Sequence, residues 1–365
     1  IADMARLIDA LPNVEWCRTS TGHTPLPGAI SDKVALLQSI LNCSKPIVSV
    51  SNNVSSLKEQ IDLCSIVAGG EAQLRRKPFF VASNEPVSPL IQGKDATEKS
   101  LLCAEKGIPN VFYGMPMAGA TAPATFAGCL AVANAEILSQ LVVLQLKYPG
   151  APVIYGSMPN IMDMKTTIYP YGAPELQLMV GSLTELCHHY GLPMFGTGGS
   201  TDAEVVDAQA AAEVTYSVLI STLTGADLVH DVGLMYHGTI LSPELTVLVS
   251  EIVDMVNVLM NGIEINDETL SLDLIEQLGP GANYLSENHT LKHFRKFWMP
   301  SVFDRSMAKK EGTKNCEELL NERTLEILRT HQPKTLPDAL VRELKRVEKT
   351  WFDRMGLEHK YPQRE

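Results

Sequence analysis

The chain has 365 residues, 45% of them hydrophobic and 20% charged, and a formal net charge of -12. That is enough apolar material for a large core and too balanced a composition for a disordered chain. The acidic balance argues against nucleic acid or an anionic membrane surface as partner, because both demand clustered Lys and Arg to displace counterions.

The opening stretch "IADMARLIDALP" sets Ile1, Met4, Leu7, Ile8 and Leu11 at helical spacing and carries no initiator Met, so the natural start is expected further upstream. Seven short apolar or β-branched runs follow, at 14–19, 46–51, 78–83, 110–116, 152–157, 193–198 and 227–232. Each predicts a buried parallel strand. Helical stretches separate them; in "TFAGCLAVANAEILSQLVVLQLKYPG" small and apolar residues recur at helical spacing and a glycine closes the end.

This alternation predicts an α/β fold, a (β/α)8 TIM-type barrel lacking its first strand in this chain. A doubly wound sheet is the runner-up and would usually show a GxGxxG turn after its first strand. After residue 240 the pattern turns helical, and the tail from 306 is charged as well. A barrel domain over 1–305 is expected, with a C-terminal helical extension over 306–365 packed on it. No apolar run is read as approaching the roughly 20 residues a membrane helix needs, and no basic stretch precedes an apolar signal core. A cytoplasmic location is therefore expected, without membrane or nucleic acid as partner. The seven cysteines are odd in number and lack CxxC spacing, which predicts reduced, buried thiols.

In such a barrel the chemistry sits at the C-terminal ends of strands and in the loops beyond them. The third run leads into Asn84 and Glu85. The loop 157–175 holds Asn160, Asp163, Tyr169, Tyr171 and Glu175, with Tyr155 in the strand before it. Three tyrosines and several acids fit a cage for a quaternary ammonium, whose cation attracts ring faces and carboxylates; packing of the loop explains the same residues. "GTGGSTD" resembles an anion cradle ahead of a helix, but Ser200, Thr201 or Asp202 would equally cap the helix that carries Asp207, Gln209 and Glu213. At the last run, "HDVGLMYHG" gathers His230, Asp231, Tyr236 and His237. His230 and Asp231 fit either an acid/base pair or a structural hydrogen bond. No third ligand stands at zinc-binding spacing, so no metal site is indicated.

Five long stretches carry a resemblance: "MPMAGATAPAT" (115–125), "YGSMPNIMDMKTTIYPYGAPE" (155–175), "YGLPMFGTGGSTDAEVVDAQAAAE" (190–213), "GADLVHDVG" (225–233) and residues 262–295. Together they make the chain similar to the trimethylamine:corrinoid methyltransferase family. That resemblance covers nearly the whole chain and implies a (β/α)8 barrel. The family's founding members carry pyrrolysine at the barrel mouth. This chain uses only ordinary residue types and resembles the branch without pyrrolysine, the corresponding position being expected in or near "GLMYHG".

What the resemblance implies is methyl transfer from a quaternary amine, glycine betaine first, with proline betaine and carnitine as alternatives. The acceptor would be Co(I) of a corrinoid on a separate small protein, because the chain shows no Asp-x-His-x-x-Gly cobalamin signature and no cofactor of its own is expected. Attack on an already activated ammonium calls for positioning and exclusion of water, so no catalytic acid or base is expected. In this reading His237 holds the substrate carboxylate beside Tyr236, His230 and Asp231. Tyr155, Tyr169, Tyr171 and Glu175 face the trimethylammonium, and Asn160, Asp202 and Gln209 shape the polar wall. The apolar helices make a homo-oligomer the expected state. A non-catalytic betaine-binding barrel, and a barrel lyase or hydrolase using His230 and Asp231, are the competing readings.

Overall fold

All seven apolar runs form strands in the computed structural model, which describes residues 1–19, 26–305 and 314–360. They are β1 (Cys17–Arg18), β2 (Ile47–Val50), β3 (Phe80–Asn84), β4 (Asn110–Gly114), β5 (Val153–Ser157), β6 (Met194–Thr197) and β7 (Leu228–His230). Their order in the sheet is their order in the chain, and every pairing is parallel. The sheet curls until its two edges face each other: the Arg18 guanidinium at the end of β1 lies 2.9 Å from the Asp231 carboxylate just beyond β7. This is a TIM-type (β/α) barrel of seven strands among the described residues. Strands β4, β5 and β6 are buried throughout, because one face lines the barrel and the other lies under helices.

The helices follow from apolar periodicity and end on identifiable caps. They are α1 (Ala2–Ala10), α2 (Gly28–Asn42), α3 (Val54–Ala68), α4 (Glu71–Arg76), α5 (Lys94–Lys106), α6 (Phe126–Lys147), α7 (Pro174–His189), α8 (Ala208–Thr224) and α9 (Pro243–Met260). Asn53 opens α3 by accepting from the Ser56 N–H. At α8 the cap is Asp207, which accepts from Gln209 and Ala210, rather than Ser200, Thr201 or Asp202. Those three residues instead belong to the loop that the barrel mouth needs.

Helix α6 departs from the expectation about apolar runs: by length and composition it is long and apolar enough to cross a membrane. Here it packs on β4 and β5, burying Cys129, Ala133, Ile137 and Leu144, while Val142 and Leu146 stay exposed. The buried Glu136 carboxylate accepts from the Leu90 N–H and the Ser88 hydroxyl, pinning the loop after β3.

Beyond α9 come α10 (Asp267–Leu270), α11 (Leu272–Leu278) and α12 (Asn288–His293), none of which buries a residue. The last helices, α13 (Cys316–Thr330) and α14 (Asp338–Arg354), return to the barrel. Their Leu320, Ile327, Leu344, Trp351 and Phe352 join one apolar cluster with Leu7 of α1 and Leu36 and Leu37 of α2. Residues 306–313 of the expected extension lie outside the described residues, as do 361–365.

Candidate active site at the barrel mouth

Side chains alternate across a strand, so residues two apart share a face. In β6 that rule puts Phe195 and Thr197 on one face, and the run into β1 likewise pairs Trp16 with Arg18. The inward rings meet: Phe195 lies 5.7 Å from Trp16, 5.6 Å from Tyr113 and 4.2 Å from His230, the last pair stacked. Gly156 of β5 makes this possible. A Cβ there would stand 3.0 Å from the Phe195 Cβ and 3.2 Å from the Tyr113 Cβ. An inward Gly156 also turns its neighbour Tyr155 outward.

Above the rings a polar chain spans the strand ends. Arg18 Nη1 donates to Asp231 Oδ1 at 2.9 Å and Nη2 to the Tyr113 hydroxyl at 2.8 Å. Glu85, just past β3, lies near the Tyr113 hydroxyl and its charge helps to keep that phenol neutral. Asp231 also accepts from the Thr197 hydroxyl at 2.9 Å and stands 2.8 Å from His230 Nδ1, which itself lies 3.4 Å from Arg18 Nη1. Its backbone is left-handed, φ 73°. A non-glycine residue adopts that strained conformation where its surroundings hold it firmly, as three partners do here.

Burial alone would push the Asp231 carboxyl up, but His230, Arg18 and Thr197 outweigh it and hold it below the usual carboxylate range. Burial likewise disfavours the charge on Arg18, yet Tyr113, Asp231 and Glu85 keep the guanidinium firmly protonated. Burial pushes the phenols of Tyr113 and Tyr171 up, so both rings stay neutral.

A cavity of about 740 Å³ opens on this chain of groups. At the strand ends its wall is formed by Arg18, Glu85, Tyr113, Met115, Met158 and Tyr171, with His230 and Asp231 beside them. The cavity also runs between the sheet edges, past Val229 and the α8 and α9 side chains Val218, Val249 and Val253. At the mouth it therefore offers aromatic faces, two methionines, one cation and two carboxylates.

Of the residues expected at the site, His230, Asp231 and Tyr171 line this cavity. A supporting network gathers three more. Asp202 accepts from the N–H groups of Tyr171 and Gly172, each at 2.8 Å, and from His237 Nδ1 at 3.0 Å. Glu213 accepts from the Asp202 N–H and from the Gln209 amide, so Gln209 reaches the mouth only through two intermediaries. His237 is thus tied to a carboxylate, which is opposite to the environment a substrate carboxylate would seek.

Tyr169 packs edge-on against Tyr171 at 5.2 Å and donates to the Met158 carbonyl. Asn160 is buried and donates to the Pro170 carbonyl, holding the same loop. Tyr236 is exposed next to His237. Tyr155 points to α6, where its hydroxyl donates to Asn134 at 2.9 Å, and Glu175 sits in the first turn of α7; neither lines the cavity. The sequence reading missed Arg18, Trp16 and Tyr113. The available signal was a charged residue in a strand read as buried, since a buried arginine demands partners.

A family model described as trimethylamine methyltransferase (MTTB) matches residues 26–350. Trimethylamine methyltransferase MttB of Desulfitobacterium hafniense (strain DSM 10664 / DCB-2) is 32% identical over 364 residues, 98% of this chain and 73% of that protein. MttB of Methanosarcina thermophila is 31% identical over 349 residues, 94% of this chain and 72% of its own length. The glycine betaine methyltransferase of Desulfitobacterium hafniense (strain Y51) is 32% identical over 310 residues, 83% of this chain and 64% of that protein. Among solved structures, the monomethylamine methyltransferase MtmB of Methanosarcina barkeri aligns with 98% of this chain and 69% of its own, at 10% identity and a TM-score of 0.48. Because the family pattern runs through almost the whole barrel and the identity to MttB spans most of both proteins, this chain is an enzyme of the trimethylamine methyltransferase family.

Proposed function

We propose that this enzyme takes one methyl group from a quaternary amine, glycine betaine first, and passes it to Co(I) of a corrinoid carried by a separate small protein. The observation that carries the reading is the cavity at the strand ends, where Tyr171, Tyr113 and two methionines meet the carboxylate of Glu85. Ring faces and carboxylates attract a cation that has no N–H to donate. The similarity to a glycine betaine methyltransferase agrees with it.

The corrinoid supplies the nucleophile, and the C–N bond breaks with its electron pair left on nitrogen. The leaving group is a neutral tertiary amine and needs no proton. What the chain contributes is position and dryness. Tyr171 and Glu85 hold the ammonium, the Trp16, Phe195 and His230 rings close the floor, and the network through Asp202, His237 and Gln209 fixes the Tyr171 backbone. Asn160 and Tyr169 brace the same loop. Tyr155, Glu175 and Tyr236 act from further out, through helix and loop packing.

Proline betaine and carnitine share the ammonium-and-carboxylate layout and remain within this reading. We infer a reducing, cytoplasmic setting, supported by seven cysteines that are all free. We also infer a homo-oligomer: Leu259, Ile263, Ile265, Leu285, Phe297 and Met299 are exposed in one segment, an apolar concentration typical of interaction surfaces. Light scattering reads the mass directly, and a strict monomer contradicts this point. The reaction is tested by following the visible spectrum of Co(I) cobalamin with enzyme and each of glycine betaine, proline betaine, carnitine and trimethylamine. Methylation of cobalt by a betaine supports the proposal; no methylation with any of the four refutes it.

A further inference from the structure

We infer that Arg18 is the specificity-determining residue of the mouth, docking the carboxylate of a zwitterionic substrate and turning away quaternary amines that lack one. This rests on the proposed quaternary-amine reading and deepens it. The decisive observation is how the Arg18–Asp231 pair faces. The two groups are 2.9 Å apart, but the Arg18 side chain is 29% exposed and that of Asp231 only 2%. The pair therefore turns its cationic half to the cavity and hides its anionic half behind it, against Thr197 and His230.

A guanidinium has five N–H donors in a fixed fork. Arg18 Nη1 meets Asp231 at 2.9 Å and His230 Nδ1 at 3.4 Å, and one donor of Nη2 goes to Tyr113. Nε and the second Nη2 donor remain for a ligand in the cavity that Arg18 lines. A carboxylate entering the cavity meets them without displacing Asp231.

The charges arrange the substrate end to end. Glu85 also lines the cavity, near the Tyr113 ring whose hydroxyl accepts from Arg18, so an anion and a cation face the same space. A betaine satisfies both: its carboxylate on Arg18, its ammonium toward Glu85 and Tyr171. A plain cation such as tetramethylammonium gains the Glu85 end and is repelled by the Arg18 end. Specificity then comes from an attractive and a repulsive element in one residue.

The test is calorimetric titration of the full chain with glycine betaine, choline and tetramethylammonium, for the natural protein and for R18Q and R18K. Charge-assisted hydrogen bonds of this kind correspond to a preference of about tenfold to a hundredfold. The natural protein should bind glycine betaine more tightly than choline by that margin. R18Q should bring glycine betaine down to the level of choline while leaving choline unchanged or tighter, and R18K should fall between. Equal affinity for glycine betaine and choline in the natural protein overturns the inference, even if no variant folds. Equal weakening of both ligands in R18Q also overturns it, leaving Arg18 as a tie between β1 and β7. Binding of none of the three removes the quaternary-amine reading itself.

Discussion

Replacing Asp231 with asparagine removes one charge from the centre of the mouth while preserving shape and an acceptor. Asp231 accepts from Arg18 and Thr197 and stands 2.8 Å from His230 Nδ1, and its side chain is 2% exposed. Removing one partner of a buried ion pair costs about 3–5 kcal/mol, because the other charge is left unpaired. Arg18 reaches the cavity and recovers part of its hydration there, and the amide oxygen of the substituted side chain still accepts from Thr197. The expected loss is thus at the lower end, about 3 kcal/mol. Urea unfolding of D231N should show this as a lower midpoint with unchanged slope. The Asp231 carboxyl is held below its ordinary range, so its contribution is complete above about pH 4 and disappears as the pH falls through the depressed folded value. The gap between natural protein and D231N should accordingly narrow on acidification below about pH 4 and stay constant at neutral pH. The double variant R18M/D231N should recover part of the loss, since no unpaired charge then remains. A loss below about 1 kcal/mol, or a double variant weaker than the two single losses combined, would refute the account of this pair.

Other substitutions probe the remaining parts of the mouth. Y171L removes the ring proposed to face the ammonium and should weaken glycine betaine binding by about five- to thirtyfold in calorimetry, the worth of a desolvated cation–π contact; undiminished affinity would take Tyr171 out of the site. G156A brings a Cβ within 3.0 Å of Phe195 and 3.2 Å of Tyr113, both fixed by backbone, and should cost about 1–3 kcal/mol in thermal unfolding. A neutral result would mean that the ring cluster can shift. D202A frees the Tyr171 and Gly172 N–H groups and His237 together, and should cost about 3 kcal/mol and weaken betaine binding as well. Stability loss with full affinity would show that this network does not position Tyr171.

The barrel was legible because each strand is an apolar run bounded by turn residues, and all seven runs became strands in chain order. The strand ends were legible for the same reason, which is why His230, Asp231 and Tyr171, all three lining the cavity, stood out in the sequence. Facing was not legible. Tyr155 and Gly156 are adjacent, and which one points inward depends on Phe195 and Tyr113, which are remote in sequence. Arg18 stayed hidden because its partners, Tyr113 and Asp231, are joined to it only by the curl of the sheet. Asp202 and Gln209 were read as part of a polar wall and His237 as a separate carboxylate holder; the network that joins the three is a matter of loop geometry that residue types do not encode.

The central claim is the transfer itself, and its most direct test is a product balance. Enzyme, Co(I) cobalamin and glycine betaine carrying deuterated N-methyl groups are incubated without oxygen, and both products are quantified by mass spectrometry. The account predicts dimethylglycine and methylcobalamin in equal amounts, every deuterium of the lost methyl retained on the cobalamin. Dimethylglycine without labelled methylcobalamin, or neither product despite binding of the betaine, would contradict it.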